Sequence, residues 1–328
     1  MSKILITGGA GFIGYFLTQR LAENPDNQIV VVDNLTRGRI DSEFEILESL
    51  PNTKLVVGDL TQTKFLASLD TDFDYVYHLA AVIGVQNVME HPDKVLFVNA
   101  LTTLQLFEHL KNMKNLKRVL FSSTSEIYAG TFQHFGIPVP TPEEVELTLD
   151  DITSNRTTYM LSKMYGESIA HNYGRQYGIP YTIVRYHNVY GPRMGFKHVI
   201  PELFWKVMAQ NTVEIASPNH TRAFCYVDDA VTLTIGAVES LSGDSKTFNV
   251  GNSREEIKIH DLAERISEIV PKDIHLIRGN DTPGSPERRC PDTSLIEECL
   301  GYGAEINIDE GLRRTWNWYQ DKLEDRYE

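Results

Sequence analysis

Cysteine is scarce in this chain. Three thiols, Cys225, Cys290 and Cys299, occur among 328 residues; an odd number cannot all pair, and their spacing matches no metal-ligand set. A disulfide scaffold and a bound metal are therefore not expected, and a reducing cytoplasm is. Long apolar runs are missing too. The longest, such as Ile29-Val30-Val31-Val32, have the length of a strand and fall far short of a membrane span. No charged-then-apolar leader precedes the strand-like Ile4-Leu5-Ile6, so secretion is not expected. Positive charge is in deficit, with 31 Lys and Arg against 45 Asp and Glu and a net charge of −14. That balance argues against a nucleic-acid partner. It leaves room for a small anion held by a few local arginines.

What is present is an alternation. Apolar, β-branched segments recur at residues 4–6, 29–32, 54–57, 75–78, 119–122 and 181–184. Between several of them lie stretches with helical spacing, at 12–22, 95–111 and 159–177. Short strands alternating with helices predict an α/β fold of Rossmann type, a doubly wound parallel sheet covered on both faces. Ligands of such sheets bind beyond the carboxyl ends of the strands. After about residue 186 the pattern turns irregular, broken at Gly191-Pro192, Pro201, Pro218-Asn219 and Pro283-Gly284, with helical stretches only at 259–269 and 308–323. We expect a dinucleotide-binding domain over 1–185, rejoined by the chain around 212–250, and a smaller, partly interleaved α/β substrate lobe over 186–328. An insert at 129–155, rich in Pro, Thr and acidic residues, predicts a loop at the mouth of the site.

The first motif is Thr7-Gly8-Gly9-Ala10-Gly11-Phe12-Ile13-Gly14, which follows a strand and opens a helix. Gly8 allows the tight turn, a bare backbone at Gly11 admits a diphosphate, and Gly14 lets helix and strand approach. The helix N-terminus adds unpaired N–H groups and the positive end of its dipole. Asp33 closes the second strand, where a carboxylate accepts both adenosine ribose hydroxyls and repels a 2′-phosphate, favouring NAD over NADP. Arg37, close by, blurs that preference. Asp59 ends the third strand and can bond an adenine amino group or close a local turn. Leu79-Ala80-Ala81 ends the fourth with small side chains that let backbone pass a cofactor, and the preceding His78 reads as a satisfied core histidine. Phe12, Ile13, Asn34, Leu60 and Asn99 are assigned to the cofactor with them.

The chemistry-bearing groups follow. Tyr159 and Lys163 are four residues apart, so on a helix the phenol and the ammonium share a face. A free tyrosine has a pKa of about 10, and a lysine beside it favours the phenolate. Phe121-Ser122-Ser123-Thr124-Ser125-Glu126 lies at the end of the fifth strand. The Thr124 hydroxyl can bind the oxygen that loses a proton to Tyr159. If the extended backbone persists, Glu126 projects to the same side and can remove a proton from a carbon next to a ketone.

Taken together, Gly8-x-x-Gly11-x-x-Gly14, Asp33, Thr124 and Tyr159-x-x-x-Lys163 resemble the extended short-chain dehydrogenase/reductase family, and within it the NAD-dependent nucleotide-sugar epimerases, dehydratases and decarboxylases. The likeness continues through Arg185-Tyr186-His187-Asn188-Val189-Tyr190-Gly191-Pro192-Arg193, Thr221-Arg222-Ala223-Phe224-Cys225-Tyr226 and Arg288-Arg289-Cys290-Pro291-Asp292. The resemblance implies NAD as cofactor and a nucleotide-diphosphate sugar as substrate, oxidised at C4. It makes Tyr159 the base, Lys163 its ribose-binding partner and Thr124 the hydroxyl aid. It puts Asn188 at the sugar diphosphate, Arg222 and Arg289 on the diphosphate or the sugar, Val199-Ile200-Pro201 in a loop under the base, and Ser125 among the substrate-binding residues. It also implies a homodimer built from the 95–111 and 159–177 helices as a four-helix bundle.

Thr124-Ser125-Glu126 resembles the triplet of UDP-glucuronate decarboxylases and of some 4,6-dehydratases, so decarboxylation or dehydration is expected after the ketone forms. A plain 4-epimerase, a dehydrogenase releasing NADH and a non-catalytic dinucleotide sensor are the alternatives.

Overall fold

β-Branched and apolar side chains with both faces to cover build the strands of the first unit, which therefore read as nearly continuous buried runs rather than as an alternation. The computed structural model describes residues 1–282 and 285–322. In chain order the strands are β1 (Ser2–Thr7), β2 (Asn27–Asp33), β3 (Thr53–Val57), β4 (Tyr75–His78), β5 (Arg118–Thr124) and β6 (Tyr181–Tyr186). The helices are α1 (Phe12–Ala22), α2 (Ser42–Glu48), α3 (Thr63–Leu66), α4 (Val85–Glu90), α5 (Pro92–Leu110), α6 (Ala129–Phe135) and α7 (Thr157–Tyr177). Then come β7 (Val189–Tyr190), α8 (Val199–Ala209), β8 (Thr212–Ile215), β9 (Thr221–Ala223), β10 (Cys225–Tyr226), α9 (Val227–Glu239) and β11 (Lys246–Val250). The chain continues through β12 (Glu256–Lys258), α10 (Ile259–Ile269), β13 (His275–Arg278), β14 (Arg288–Arg289), α11 (Ser294–Leu300) and α12 (Ile308–Tyr319).

Two compact units result. The first comprises residues 1–134, 146–186 and 231–248; the second comprises 135–145, 187–230 and 249–328. The central sheet has the order β11-β6-β5-β4-β1-β2-β3, and β1 to β6 run parallel. The order reverses between β1 and β4, the switch point at which α/β sheets bind ligands. Thr7, Asp33, His78 and Thr124 all stand at carboxyl ends of these strands. Beneath them Leu5, Val76, Val119, Phe121 and Ile183 of the sheet pack with Leu106 and Phe107 of α5 and Ile169 and Ala170 of α7.

The second unit has three small sheets: the parallel pair β7 and β10, the parallel pair β8 and β13, and β12-β9-β14. Helices α8, α10 and α12 pack on one another, burying Ile200, Phe204, Leu262, Ile266, Leu312 and Trp316. Pro201 does not break the chain. It lies in the first turn of α8, where its missing N–H forfeits no helical bond. Val199-Ile200-Pro201 is thus helix rather than the expected loop. The 129–155 insert likewise begins as α6 and sends residues 135–145 into the second unit. Residues 212–215 belong to the second unit and 231–248 to the first. Pro283-Gly284 and Leu323 lie outside the described residues.

One close approach sets the position of α7. A Cβ on Gly166 would stand 2.1 Å from the Phe121 ring, which is buried at 2% exposure. In an open helix Gly→Ala gains about 1 kcal/mol, whereas overpacking a core loses about 1–3 kcal/mol. Here the ring has nowhere to go. Gly166→Ala is therefore expected to lower unfolding free energy by about 1–2 kcal/mol, measured by urea denaturation; a stabilised variant would show that α7 can lift from β5 freely.

Candidate active site

The N-terminal turn is shaped as the spacing requires. Gly8 has φ +74°, and a Cβ there would lie 2.7 Å from the Ala80 backbone nitrogen. A Cβ on Gly14 would meet the Gly8 carbonyl oxygen at 2.3 Å. Gly11 caps α1 without a side chain, leaving the first N–H groups of the helix uncapped. A cradle filled by any side chain, at a helix N-terminus, suits the diphosphate of a dinucleotide.

Asp33 is buried at the end of β2 and accepts from the Ala10 N–H at 3.1 Å and the Leu35 N–H at 2.8 Å. Burial raises its pKa, and those N–H groups pull it back. Asp33 thereby ties the glycine turn to the loop after β2. Asn34, next to it, accepts from the Thr36 N–H at 3.1 Å. Asp59 closes a local turn by accepting from the Thr61 N–H and hydroxyl at 2.9 and 2.8 Å. Asn99 is buried and bridges two elements. Its amide exchanges bonds with the Val82 backbone, at 2.7 and 3.0 Å, and donates to Ser162 of α7 at 3.1 Å. It thus pins the chain after Leu79-Ala80-Ala81 to the helix that carries Tyr159. His78 is buried between the Thr7 and Thr103 hydroxyls, 2.7 and 3.2 Å from its two ring nitrogens, and burial pulls its pKa down to about 3. It is a neutral core histidine.

α7 presents Tyr159 and Lys163 on one face. Lys163 is buried and donates to the Ser122 carbonyl at 2.7 Å, with its ammonium 5.1 Å from the Phe121 ring centre and 5.9 Å from that of Tyr159. Burial lowers its pKa to about 8, opposed by the negative charge of Glu167 one turn on. Tyr159 is half-buried, but enough protein surrounds the ring that burial raises its pKa above the ordinary value. Glu126 raises it further, while Thr124 and Arg37 pull it down without prevailing. The expected depression of Tyr159 by Lys163 is therefore not observed. The ammonium donates instead to the Ser122 carbonyl, and Arg37 is a cation that lowers the phenol's pKa.

Glu126 reaches Tyr159 by a different route from the one expected. β5 stops at Thr124, and Ser125–Tyr128 form a 3₁₀ turn whose first N–H groups include Glu126 donating to the Thr124 hydroxyl at 3.3 Å. Turn geometry, not a continued strand, brings the carboxylate within electrostatic reach of the phenol. Thr124, Ser125 and Glu126 are all half-buried.

The second unit holds the remaining sequence-assigned residues. Arg222 of β9 and Arg289 of β14 are direct partners in a parallel register, so their side chains leave one face of the small sheet about 5 Å apart. Arg222 also donates to the Ser285 hydroxyl at 2.7 Å. The insert braces this segment: Thr141 forms a parallel bridge with Pro291, donating its N–H to the Cys290 carbonyl at 2.9 Å and accepting from the Asp292 N–H at 2.8 Å. Asn188 has φ +39° and donates to the Ala223 carbonyl at 3.1 Å. Val199 starts α8.

A lysine with a pKa near 8 sets an alkaline limit. Its lowered value means the cation is present below about 8 and lost above it. If turnover needs that charge, activity should fall as pH rises with a midpoint near 8; a profile flat up to about 10 would contradict the role.

With this geometry in hand, known proteins are informative. Residues 4–251 match the NAD dependent epimerase/dehydratase family. A UDP-glucuronic acid decarboxylase of Arabidopsis thaliana is 32% identical over 313 residues, spanning 94% of this chain and 86% of the relative. The crystal structure of a UDP-glucose 4-epimerase from Thermotoga maritima with UDP-glucose superposes with a TM-score of 0.85 at 28% identity, covering 98% of this chain and 99% of that one. An enzyme of Bordetella bronchiseptica in complex with NAD+ matches with a TM-score of 0.81 at 28% identity, covering 99% and 94%. The glycine cradle, the Tyr159/Lys163 face and these likenesses agree: the chain is an enzyme of the NAD-dependent epimerase/dehydratase family.

Proposed function

We propose that the chain oxidises C4 of a UDP-linked hexuronate to a ketone, releases the C6 carboxylate as carbon dioxide, and reduces the ketone again. The observation that carries this reading is the 3₁₀ turn after Thr124, which leaves a half-buried carboxylate, Glu126, beside the strand end that presents Thr124 and within electrostatic reach of Tyr159. Such a carboxylate adds an acid–base group to a redox pair that interconversion at C4 alone does not need. The uronate comes from the Arabidopsis relative, named as a UDP-glucuronic acid decarboxylase.

NAD, when bound, would supply a hydride acceptor for C4 and the same hydride for its return. Tyr159 accepts the C4 hydroxyl proton, and Thr124 bonds the same oxygen. Lys163 would hold the nicotinamide ribose. Once C4 is a ketone, the carboxylate lies β to it. The C5–C6 bond then breaks, its electron pair moves into the C4 oxygen as an enolate, and carbon dioxide departs. Glu126 opposes the departing carboxylate's charge and handles the proton that returns to C5. Gly8, Gly11 and Gly14, with the Phe12 and Ile13 backbone, hold the cofactor diphosphate. Asp33 and Asn34 take the adenosine ribose, Asp59 and Leu60 the adenine, and Leu79, Ala80, Ala81 and Asn99 line the remainder. Asn188, Val199, Arg222 and Arg289 take the UDP moiety, where arginine forks suit a diphosphate, and Ser125 meets the sugar.

We further propose that a second copy packs on α5 and α7. These helices lie against each other and leave Phe97 63% and Tyr165 43% exposed, which fits a four-helix bundle. None of the three cysteines forms a disulfide. Among the described residues no helix is long and apolar enough to cross a membrane.

Two substitutions test the chemistry. Tyr159→Phe should lower turnover by at least about a hundredfold while NAD binding, read by titration, is retained; full activity would remove Tyr159 from the reaction. Glu126→Gln should still reduce NAD in a single turnover with UDP-glucuronate but stop short of carbon dioxide release. Unchanged product formation in that variant would favour a plain 4-epimerase.

A further inference from the structure

One buried cluster in the first unit has no part in the chemistry above. Arg185 of β6 donates to both carboxylate oxygens of Glu167, from Nε at 3.0 Å and from Nη2 at 2.7 Å. Its Nη1 donates to the Tyr128 hydroxyl at 2.8 Å, and the guanidinium carbon lies 5.1 Å from the centre of the same ring. All three side chains are at least nine-tenths buried.

The three members come from three separate pieces of the site. Glu167 is one helical turn beyond Lys163, in the same stripe of α7 as Tyr159. Tyr128 ends the 3₁₀ turn that carries Glu126. Arg185 is the register partner of Ser123, next to Thr124, across β5 and β6. Stability alone does not explain such a cluster. A buried ion pair forfeits hydration of both ions, and apolar residues of similar volume often do as well. A planar fork, by contrast, fixes distance and angle at once.

We propose that Glu167, Arg185 and Tyr128 are positioning residues that hold the Glu126 turn at a fixed distance from Tyr159, and so govern the step after C4 oxidation. Arg185 acts as the hub. It takes its own position from the strand, grips the helix through Glu167, and grips the turn through the Tyr128 hydroxyl. Breaking the last bond frees the turn while leaving α7, Tyr159 and Lys163 in place. The proposal rests on the reading of Glu126 given above.

The test uses full-length protein with NAD and UDP-glucuronate. Tyr128→Phe deletes one oxygen and keeps the ring over Arg185, so folding is preserved. NAD reduction in a single turnover should stay at the wild-type rate, KM should be unchanged, and carbon dioxide release should slow by about tenfold to a hundredfold. Arg185→Lys, which retains charge but loses the fork to Glu167 as well as the bond to Tyr128, should slow carbon dioxide release more than NAD reduction while affecting both. Both steps slowing in proportion, with a lowered melting temperature, would mean the cluster only stabilises the fold. So would wild-type behaviour in Tyr128→Phe while Glu126→Gln still blocks release. If Glu126→Gln itself releases carbon dioxide normally, the reading of Glu126 falls, and the positioning role falls with it.

Discussion

The chemistry of this chain depends on how closely one helix lies on one strand. α7 approaches β5 because Gly166 has no side chain where Phe121 presses against it. That contact brings Lys163 to the Ser122 carbonyl, and it sets Tyr159 above the strand end that presents Thr124. The same approach allows Glu167 to meet Arg185. Apolar packing supplies the force, and the absence of one methyl group sets the distance.

Charge is arranged in opposition around that contact. Burial pushes Lys163 toward its neutral form, and Glu167 pushes back. Burial and Glu126 keep Tyr159 protonated, and Arg37 works against them.

Much of the first unit could be read from sequence because its signals are local. Residues 12–22 and 75–78 were bounded correctly by spacing alone, and the glycines of the first turn occupy the conformations their spacing implied. Tyr159 and Lys163 share a face because helical periodicity leaves no other arrangement. What could not be read depends on contacts remote in sequence. Arg37 reaches Tyr159 across more than a hundred positions, and Arg185 meets Tyr128 with no pattern linking them. Glu167 did carry a signal: it extends the Tyr159, Lys163 stripe by another four residues. The loop that the resemblance implied at Val199-Ile200-Pro201 is a helix start, since a first helical turn tolerates proline. The strand end at Thr124 misled. Nothing in Ser125-Glu126 announces a 3₁₀ turn, so Glu126 arrives near Tyr159 for a reason the sequence does not display.

The central claim is that C4 oxidation serves carbon–carbon cleavage and that the hydride returns to the carbon it left. Running the reaction with UDP-glucuronate in deuterium oxide, and reading the product by NMR and mass spectrometry, tests both halves together. The account predicts a UDP-pentose that keeps the substrate's own hydrogen at C4 and gains one deuterium at C5. A hexuronate recovered with inverted C4 and no deuterium, or a keto sugar accompanied by accumulating NADH, would contradict it.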